Sequence, residues 1–98
     1  MALTVVLSPK ALDDLDAIHR YAAKDNPERA DAFVDELFGV ALALADNGPR
    51  YAVVHRWKLL KIRSVSHRRY LILYQIIGDT VGILRIVHGA RDLTNLFG

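Results

Sequence analysis

The chain has 98 residues, 52% of them hydrophobic and 24% charged, a composition that favours one folded domain over a disordered or multidomain protein. It has no cysteine, no basic apolar leader and no long apolar run, which excludes disulfide and thiolate chemistry and predicts a cytoplasmic protein without a membrane span. Residues 1–49 carry a net charge of −5 and residues 50–98 a net charge of +7. This division favours a polyanion or an acidic protein as partner of the second half, unless the halves neutralise each other within the fold.

The first half predicts a short strand and two helices. Leu3 to Leu7 is β-prone, and Ser8-Pro9 then supplies a capping hydroxyl followed by the residue favoured at the first helical position. Asn26-Pro27 repeats this device before a second helix with a wide apolar stripe, which ends at Asn47-Gly48-Pro49. The short turn between the two helices predicts an antiparallel αα-hairpin.

The second half predicts a three-stranded antiparallel meander, because the apolar period changes to two and β-branched and aromatic residues dominate. The predicted strands are Leu59 to Val65, Tyr70 to Ile77 and Val81 to Val87. Gly78-Asp79 between the last two is a two-residue hairpin loop, since glycine accepts a positive φ. The predicted fold class is therefore α+β in two layers, with a short N-terminal strand, an αα-hairpin and the meander.

Counting outward from the Gly78-Asp79 loop predicts the register of the last two strands. On one face Tyr74 pairs with Ile83, Ile72 with Arg85 and Tyr70 with Val87; on the other Leu73 pairs with Leu84, Leu71 with Ile86 and Arg69 with His88. The second face is more aliphatic, so we expect it under the helices, with Tyr70, Tyr74 and Arg85 on the opposite, partly open face. The same count places Arg85 and His88 on opposite faces of their strand.

Arg85 interrupts the apolar run of the last predicted strand, where a guanidinium needs partners. Stacking on a tyrosine, together with pairing to Asp92, to a helix carboxylate or to a group of a binding partner, would satisfy it. A structural role and an interaction role both stay open. Arg91 either pairs with Asp92 to close the C-terminal turn or, as we favour, contacts a target.

Other polar and aromatic residues support structural interpretations. The basic segment from Arg63 to Arg69, between two predicted strands, is either a solvated turn or a docking patch. His88 is expected to be partly buried and hydrogen-bonded near Arg69 or the following turn. The four histidines are too far apart in sequence to predict a metal site, and no cofactor is expected. Residues expected in the core are Trp57, Tyr21 and Leu44.

Several segments, in their order and spacing, resemble the ParE branch of the ParE/RelE superfamily of toxins from bacterial toxin–antitoxin pairs. They are Leu7 to Leu15, Asn26-Pro27 with Ala30, Arg63-Ser64, Tyr70 to Tyr74, and the closing run from Ile83 to Asp92. The resemblance covers nearly the whole chain and implies one cytoplasmic toxin domain of the RelE/ParE-like fold, held inactive by a ParD-like antitoxin. ParE-like toxins characteristically inhibit DNA gyrase by binding it, so the implied partners are an antitoxin and gyrase rather than a nucleic acid.

The resemblance and the residue chemistry together suggest two sets of contact residues. The target-binding candidates are Arg63, His67, Arg68, Arg69, Arg85, His88 and Arg91. The antitoxin-binding candidates, expected at the seam between helices and sheet, are Leu15, Tyr21, Phe33, Leu37, Tyr70, Tyr74 and Arg85. Acidic residues of an antitoxin that folds on binding would meet the basic half, so the association rate should depend on salt.

The alternative is a RelE-like, ribosome-dependent messenger RNA endonuclease that needs no metal. Such an enzyme requires cations and a proton-transfer group around the scissile phosphate, which Arg63, Arg85, His88 and Arg91 would supply. RelE-like enzymes use a tyrosine or histidine near the C-terminus, and here no tyrosine follows Tyr74. We therefore favour a binding inhibitor over an enzyme. A third interpretation is a family member that binds its antitoxin but has lost toxicity.

Overall fold

The computed structural model describes residues 2–91 and 93–97, in which two helices cover one face of a four-stranded sheet. The elements are β1 Thr4–Leu7, α1 Pro9–Ala23, α2 Pro27–Asn47, β2 Arg63–His67, β3 Tyr70–Ile77 and β4 Thr80–His88, with 3-10 helices at Gly48–Arg50 and His55–Leu60. The predicted α+β class and the predicted order of elements are confirmed. No helix among the described residues is long and apolar enough to cross a membrane.

Both α-helices begin where the sequence predicts. Ser8 Oγ accepts a hydrogen bond from Ala11 N at 3.0 Å, and Asn26 Oδ1 accepts one from Arg29 N at 3.1 Å. Each cap satisfies an N–H group that the helix leaves free, which typically contributes about 1 kcal/mol. The Ser8 hydroxyl also donates to Leu84 O at 2.8 Å, so it ties the start of α1 to β4.

The strand order is β1-β4-β3-β2, which places the last strand of the chain inside the sheet. β1 pairs with β4 in parallel, from Thr4 opposite Thr80 to Leu7 opposite Ile83. The other two pairs are antiparallel and form the predicted meander. β1 is a predicted strand, but its pairing with β4 is not predicted from the sequence. Because β1 ends at Leu7, the second half of β4 has no strand beside it on that edge.

The predicted register of the β3–β4 hairpin is correct near its turn and wrong beyond it. Gly78 has a φ of 61°, and Tyr74 lies opposite Ile83 as predicted. A β-bulge then makes Leu84 an extra residue, so Leu73 lies opposite Arg85. The pairs that follow are Ile72 with Ile86, Leu71 with Val87 and Tyr70 with His88. A count that omits the bulge is therefore wrong by one residue from Leu84 onward. It assigns each later residue of β4 to the opposite face of the sheet.

The predicted assignment of the two sheet faces is also wrong. The main core between the helices and the sheet includes Leu37, Ala41, Ile72, Tyr74 and Ile83. Tyr74, expected on an open face, therefore has no exposed surface. The aliphatic face that was expected under the helices lies on the other side of the sheet. There a second, smaller core contains Trp57, Ile62, Leu73 and Val87, with Leu71, Leu84 and Phe97 packed against it.

The strand predicted to begin at Leu59 begins at Arg63. The residues before it form the 3-10 helix His55–Leu60, which holds Trp57 at 7% exposure against the second core. The Trp57 ring meets Phe97 edge-on, with the ring centroids 4.8 Å apart. Short runs of mixed apolar and basic residues fit a helical turn as well as a strand, which explains the error. Trp57 anchors a core, as predicted.

Candidate partner-binding site

A groove opens where the β2–β3 turn and the end of β4 meet the helices. It is lined by Tyr21, Phe33, Arg68, Arg69, Tyr70 and His88 and has a volume of about 630 Å³. We call this site the seam groove. It brings together three residues predicted to bind the antitoxin and three predicted to bind the target, which were not expected to share one site.

Aromatic rings form the apolar part of the seam groove. The centroids of the Phe33 and Tyr70 rings are 5.5 Å apart, and Tyr70 meets the His88 ring edge-on at 5.3 Å. Tyr21 is 70% exposed, so its predicted place in the core is wrong, whereas Leu44 is buried as predicted. An exposed tyrosine beside half-buried rings is typical of a surface that a protein partner covers.

The Tyr70 hydroxyl adds a polar group to this apolar wall. Burial raises the pKa of Tyr70, and the neighbouring Tyr21 raises it further. The hydroxyl therefore remains protonated at neutral pH and can donate a hydrogen bond. Within the described part of the chain it has no hydrogen-bond partner of its own. It is available to an acceptor that a partner brings into the groove.

Two arginines form the basic rim. The segment Arg63–His67 is strand β2, so the interpretation of the whole basic segment as a turn is wrong: only Arg68 and Arg69 lie in the turn, with Arg68 at a φ of 56°. Arg68 Nη2 lies 3.3 Å from Glu36 Oε1, and its hydrogen bond holds the pKa of that carboxyl below its usual range. Arg69 has no carboxylate partner among the described residues, so its charge is free for a ligand.

His67, another target candidate, lies beside the groove rather than in its wall. Its ring stacks on Phe33 with the centroids 6.4 Å apart. Nε2 lies 3.4 Å from Glu36 Oε1 but is buried without a hydrogen bond of good geometry. His67 thus supports the aromatic wall and shares Glu36 with Arg68.

His88 is held by the turn that follows β4. Its Nδ1 accepts a hydrogen bond from Ala90 N at 3.1 Å, and Gly89 N donates to Arg69 O at 2.7 Å. These bonds agree with the predicted half-buried histidine near Arg69. Because Nδ1 is an acceptor, the neutral ring carries its proton on Nε2. The ring can therefore donate from Nε2.

Arg85 is paired with Asp14 of α1. Its Nε and Nη2 donate to the two carboxylate oxygens at 2.8 and 2.9 Å, and Asp14 Oδ2 also accepts from Ile86 N at 2.9 Å. The bonds to Asp14 raise the pKa of Arg85. Among the partners considered for Arg85, a helix carboxylate is the observed one, while Asp92 lies outside the described residues. Asp14 also supplies Ile86 N with the hydrogen-bond acceptor that a neighbouring strand would otherwise provide at this edge of β4.

Three antitoxin candidates are not available on the surface. Leu15, Leu37 and Tyr74 are 7%, 0% and 0% exposed and belong to the main core. A partner that docks on this fold would contact the exposed neighbours of these residues instead. Their spacing on the helices and strand identified apolar faces, but it did not separate core positions from rim positions.

The four residues considered for RNA cleavage do not share one site. Arg63 donates to the backbone oxygens of Pro49 and Tyr51, and Arg85 is paired with a helix carboxylate. His88 lies in the seam groove, while Arg91 lines a different pocket with Lys10 and the paired Arg85. No three His, Asp or Glu side chains in the described ranges are placed to hold a metal ion. The fold therefore does not gather these cations and this histidine around one phosphate position, as cleavage would require.

Comparison with known proteins agrees with this fold. The model of a family described as the ParE toxin of the type II toxin–antitoxin system parDE matches residues 5–93. The match defines the class of the protein as a toxin of type II toxin–antitoxin systems. Within that class, the chain belongs to the ParE toxin family.

Among solved structures, the chain is similar to one described as the chromosomal ParDE toxin–antitoxin system from P. aeruginosa. The sequences are 22% identical, and the match covers 89% of this chain and 96% of the other with a TM-score of 0.71. At this identity the similarity supports the fold. No curated protein sequence matches the chain significantly.

Proposed function

We propose that this ParE-family toxin inhibits DNA gyrase by binding it, and that a ParD-like antitoxin neutralises the toxin by occupying the seam groove. The observation that carries the proposal is the composition of that groove. Its aromatic wall fits the apolar anchors of an antitoxin, and its basic rim fits acidic groups of either partner. An antitoxin in the groove would then compete directly with the target. Gyrase acts in the cytoplasm, so the proposal places the toxin there.

The antitoxin segment should be apolar and acidic. Apolar side chains would cover Tyr21, Phe33 and Tyr70, and carboxylates would face Arg68 and Arg69. Glu36 already neutralises part of the charge of Arg68, so Arg69 should supply more of the attraction. A segment that is disordered alone and folds on the toxin can follow such a groove around the molecule.

A supercoiling assay tests the proposed activity. The purified toxin, added to gyrase and relaxed plasmid at micromolar concentration, should inhibit supercoiling. An equimolar amount of the antitoxin should restore it if both proteins use the seam groove. Unchanged supercoiling at a large excess of a folded toxin would contradict gyrase as the target.

The basic rim gives a testable effect on antitoxin binding. Arg69→Glu should lower the association rate constant by about five- to tenfold at low salt, because it reverses a free charge at the groove, and the difference should shrink as salt screens it. Arg50→Glu makes the same charge change in the first 3-10 helix and should alter the rate by less than about twofold. Stopped-flow mixing at several salt concentrations measures both. Equal effects of the two variants would show that net charge, not the groove, controls association.

A further inference from the structure

We propose that the chain also binds the phosphate backbone of duplex DNA, on a surface separate from the seam groove. The first observation is the distribution of charge. Residues 47–78 contain seven lysines and arginines and no aspartate or glutamate. This part of the chain includes the 3-10 helix His55–Leu60, which covers the second core on the sheet face away from the α-helices. Of these seven cations, Arg56 and Lys58 belong to this helix, whereas Arg68 and Arg69 line the seam groove.

Two adjoining pockets define the surface. One has a volume of about 470 Å³ and lies between Arg56, Trp57 and Arg91. The other has a volume of about 250 Å³ and lies between Lys10, Arg85, Arg91 and Asn95. Arg91 lines both pockets, so they form one continuous surface. We call the cations Lys10, Arg56 and Arg91 along it the cationic track.

The charges of the cationic track are available to a ligand. All three side chains are exposed, and within residues 2–91 and 93–97 none forms an ion pair. Arg56 lies over the Trp57 ring, 5.9 Å from its centroid, a contact that positions the guanidinium without neutralising it. Arg85 adds no free charge, because Asp14 balances it. The track therefore presents three positive charges that no described carboxylate neutralises.

This arrangement fits the backbone of duplex DNA better than unpaired bases. Proteins that bind single strands stack bases on exposed aromatic rings, whereas Trp57 is only 7% exposed. Arginine and lysine contact phosphates without an apolar anchor, and successive phosphates supply a line of negative charge. DNA binding would hold the toxin close to the substrate of gyrase. The inference does not depend on gyrase, and its test contains none.

The test is the binding of the full chain to a fluorescently labelled duplex of about 20 base pairs, followed by anisotropy over a series of salt concentrations. The wild type should bind at about 50 mM salt with a log–log salt slope of about −2 to −3, because each neutralised phosphate contributes about −0.9. Arg56→Glu with Arg91→Glu should weaken binding by about tenfold or more and reduce the slope by about 2. Arg56→Gln with Arg91→Gln removes the two charges without reversing them, so this second variant should also weaken DNA binding, but by less. Circular dichroism checks that each variant is folded.

The matched control is Lys24→Glu with Arg29→Glu, which makes the same charge change at the turn between the α-helices. It should keep DNA affinity within about threefold of the wild type. An equal loss in both double variants, or no wild-type binding at low salt, would overturn the proposal. The competing ligand is an acidic protein, because Leu59, on the same 3-10 helix as Arg56, is 91% exposed and offers an apolar contact. Binding to polyglutamate but not to DNA, with the same dependence on Arg56 and Arg91, would overturn the proposal and identify an acidic protein as the ligand.

Discussion

Asp14→Ala is expected to destabilise the fold by about 2–4 kcal/mol. This loss is smaller than the loss expected for a fully buried ion pair, because both side chains keep some contact with water. The variant leaves the guanidinium of Arg85, 15% exposed, without its counter-charge. It also leaves Ile86 N without its acceptor on an edge of β4 that no strand covers. Urea unfolding at neutral pH measures the free energy difference.

Asp13→Ala provides the matched control, since Asp13 is exposed and is the neighbouring residue on α1. It removes the same charge and should change stability by less than about 0.5 kcal/mol. Asp14→Leu combined with Arg85→Met should recover much of the loss, because no unpaired charge remains. If the two alanine variants were equally stable, the role given to the Asp14–Arg85 pair would be wrong.

Tyr74→Ala is expected to cost about 3–5 kcal/mol, because the ring is fully buried between the helices and the sheet. The Tyr74 hydroxyl donates to Gly48 O at 2.6 Å and so fixes the 3-10 turn after α2. Tyr74→Phe keeps the ring and loses only this bond, so it should cost about 1–2 kcal/mol. Urea unfolding compares them. A phenylalanine variant as unstable as the alanine variant would mean that the hydroxyl, not the packing, dominates.

Tyr74 is also expected to make the free energy of unfolding depend on pH in the alkaline range. Burial raises the pKa of Tyr74 from 10.0 to about 12. Because the folded pKa exceeds the unfolded one, this contribution to stability is complete below pH 10.0 and is lost as the pH rises to about 12. The loss is on the order of 2–3 kcal/mol. Tyr74→Phe should lack this part of the alkaline decline in unfolding free energy, and equal declines in both proteins would contradict the assignment.

Local signals predicted the elements of this fold well. Ser8-Pro9 and Asn26-Pro27 locate both helix starts because a cap depends on residues within one turn. Gly78 locates the hairpin turn for the same reason. The bulge at Leu84 could not be predicted by counting, since it is stabilised by distant groups: Ser8 bonds Leu84 O, and Asp14 bonds the next residues of β4. The bulge displaces the register only for the rest of β4, whereas the faces were reversed because the more aliphatic face was expected under the helices.

Individual residues of the candidate site were predicted, but their position together in one groove was not. Tyr21, Phe33 and Tyr70 were named as antitoxin contacts, yet the faces expected for the sheet would have separated Tyr70 from the helices. A helix carboxylate was among the partners predicted for Arg85, but Asp14 was not named as that carboxylate. Three aspartates lie between residues 13 and 16, and only the rotation of α1 against β4 selects one of them.

The position of β4 also has a consequence for how the toxin is made. Ser8 and Leu84, which hydrogen-bond to each other, are 76 positions apart in the sequence, and β4 lies between β1 and β3. While the ribosome is still synthesising residues before Thr80, β1 has no partner and the nascent chain cannot complete its sheet. Contacts between such distant residues also slow folding relative to a helical protein of similar length. We therefore expect the sheet to become complete only after translation has passed His88, late in the synthesis of the chain.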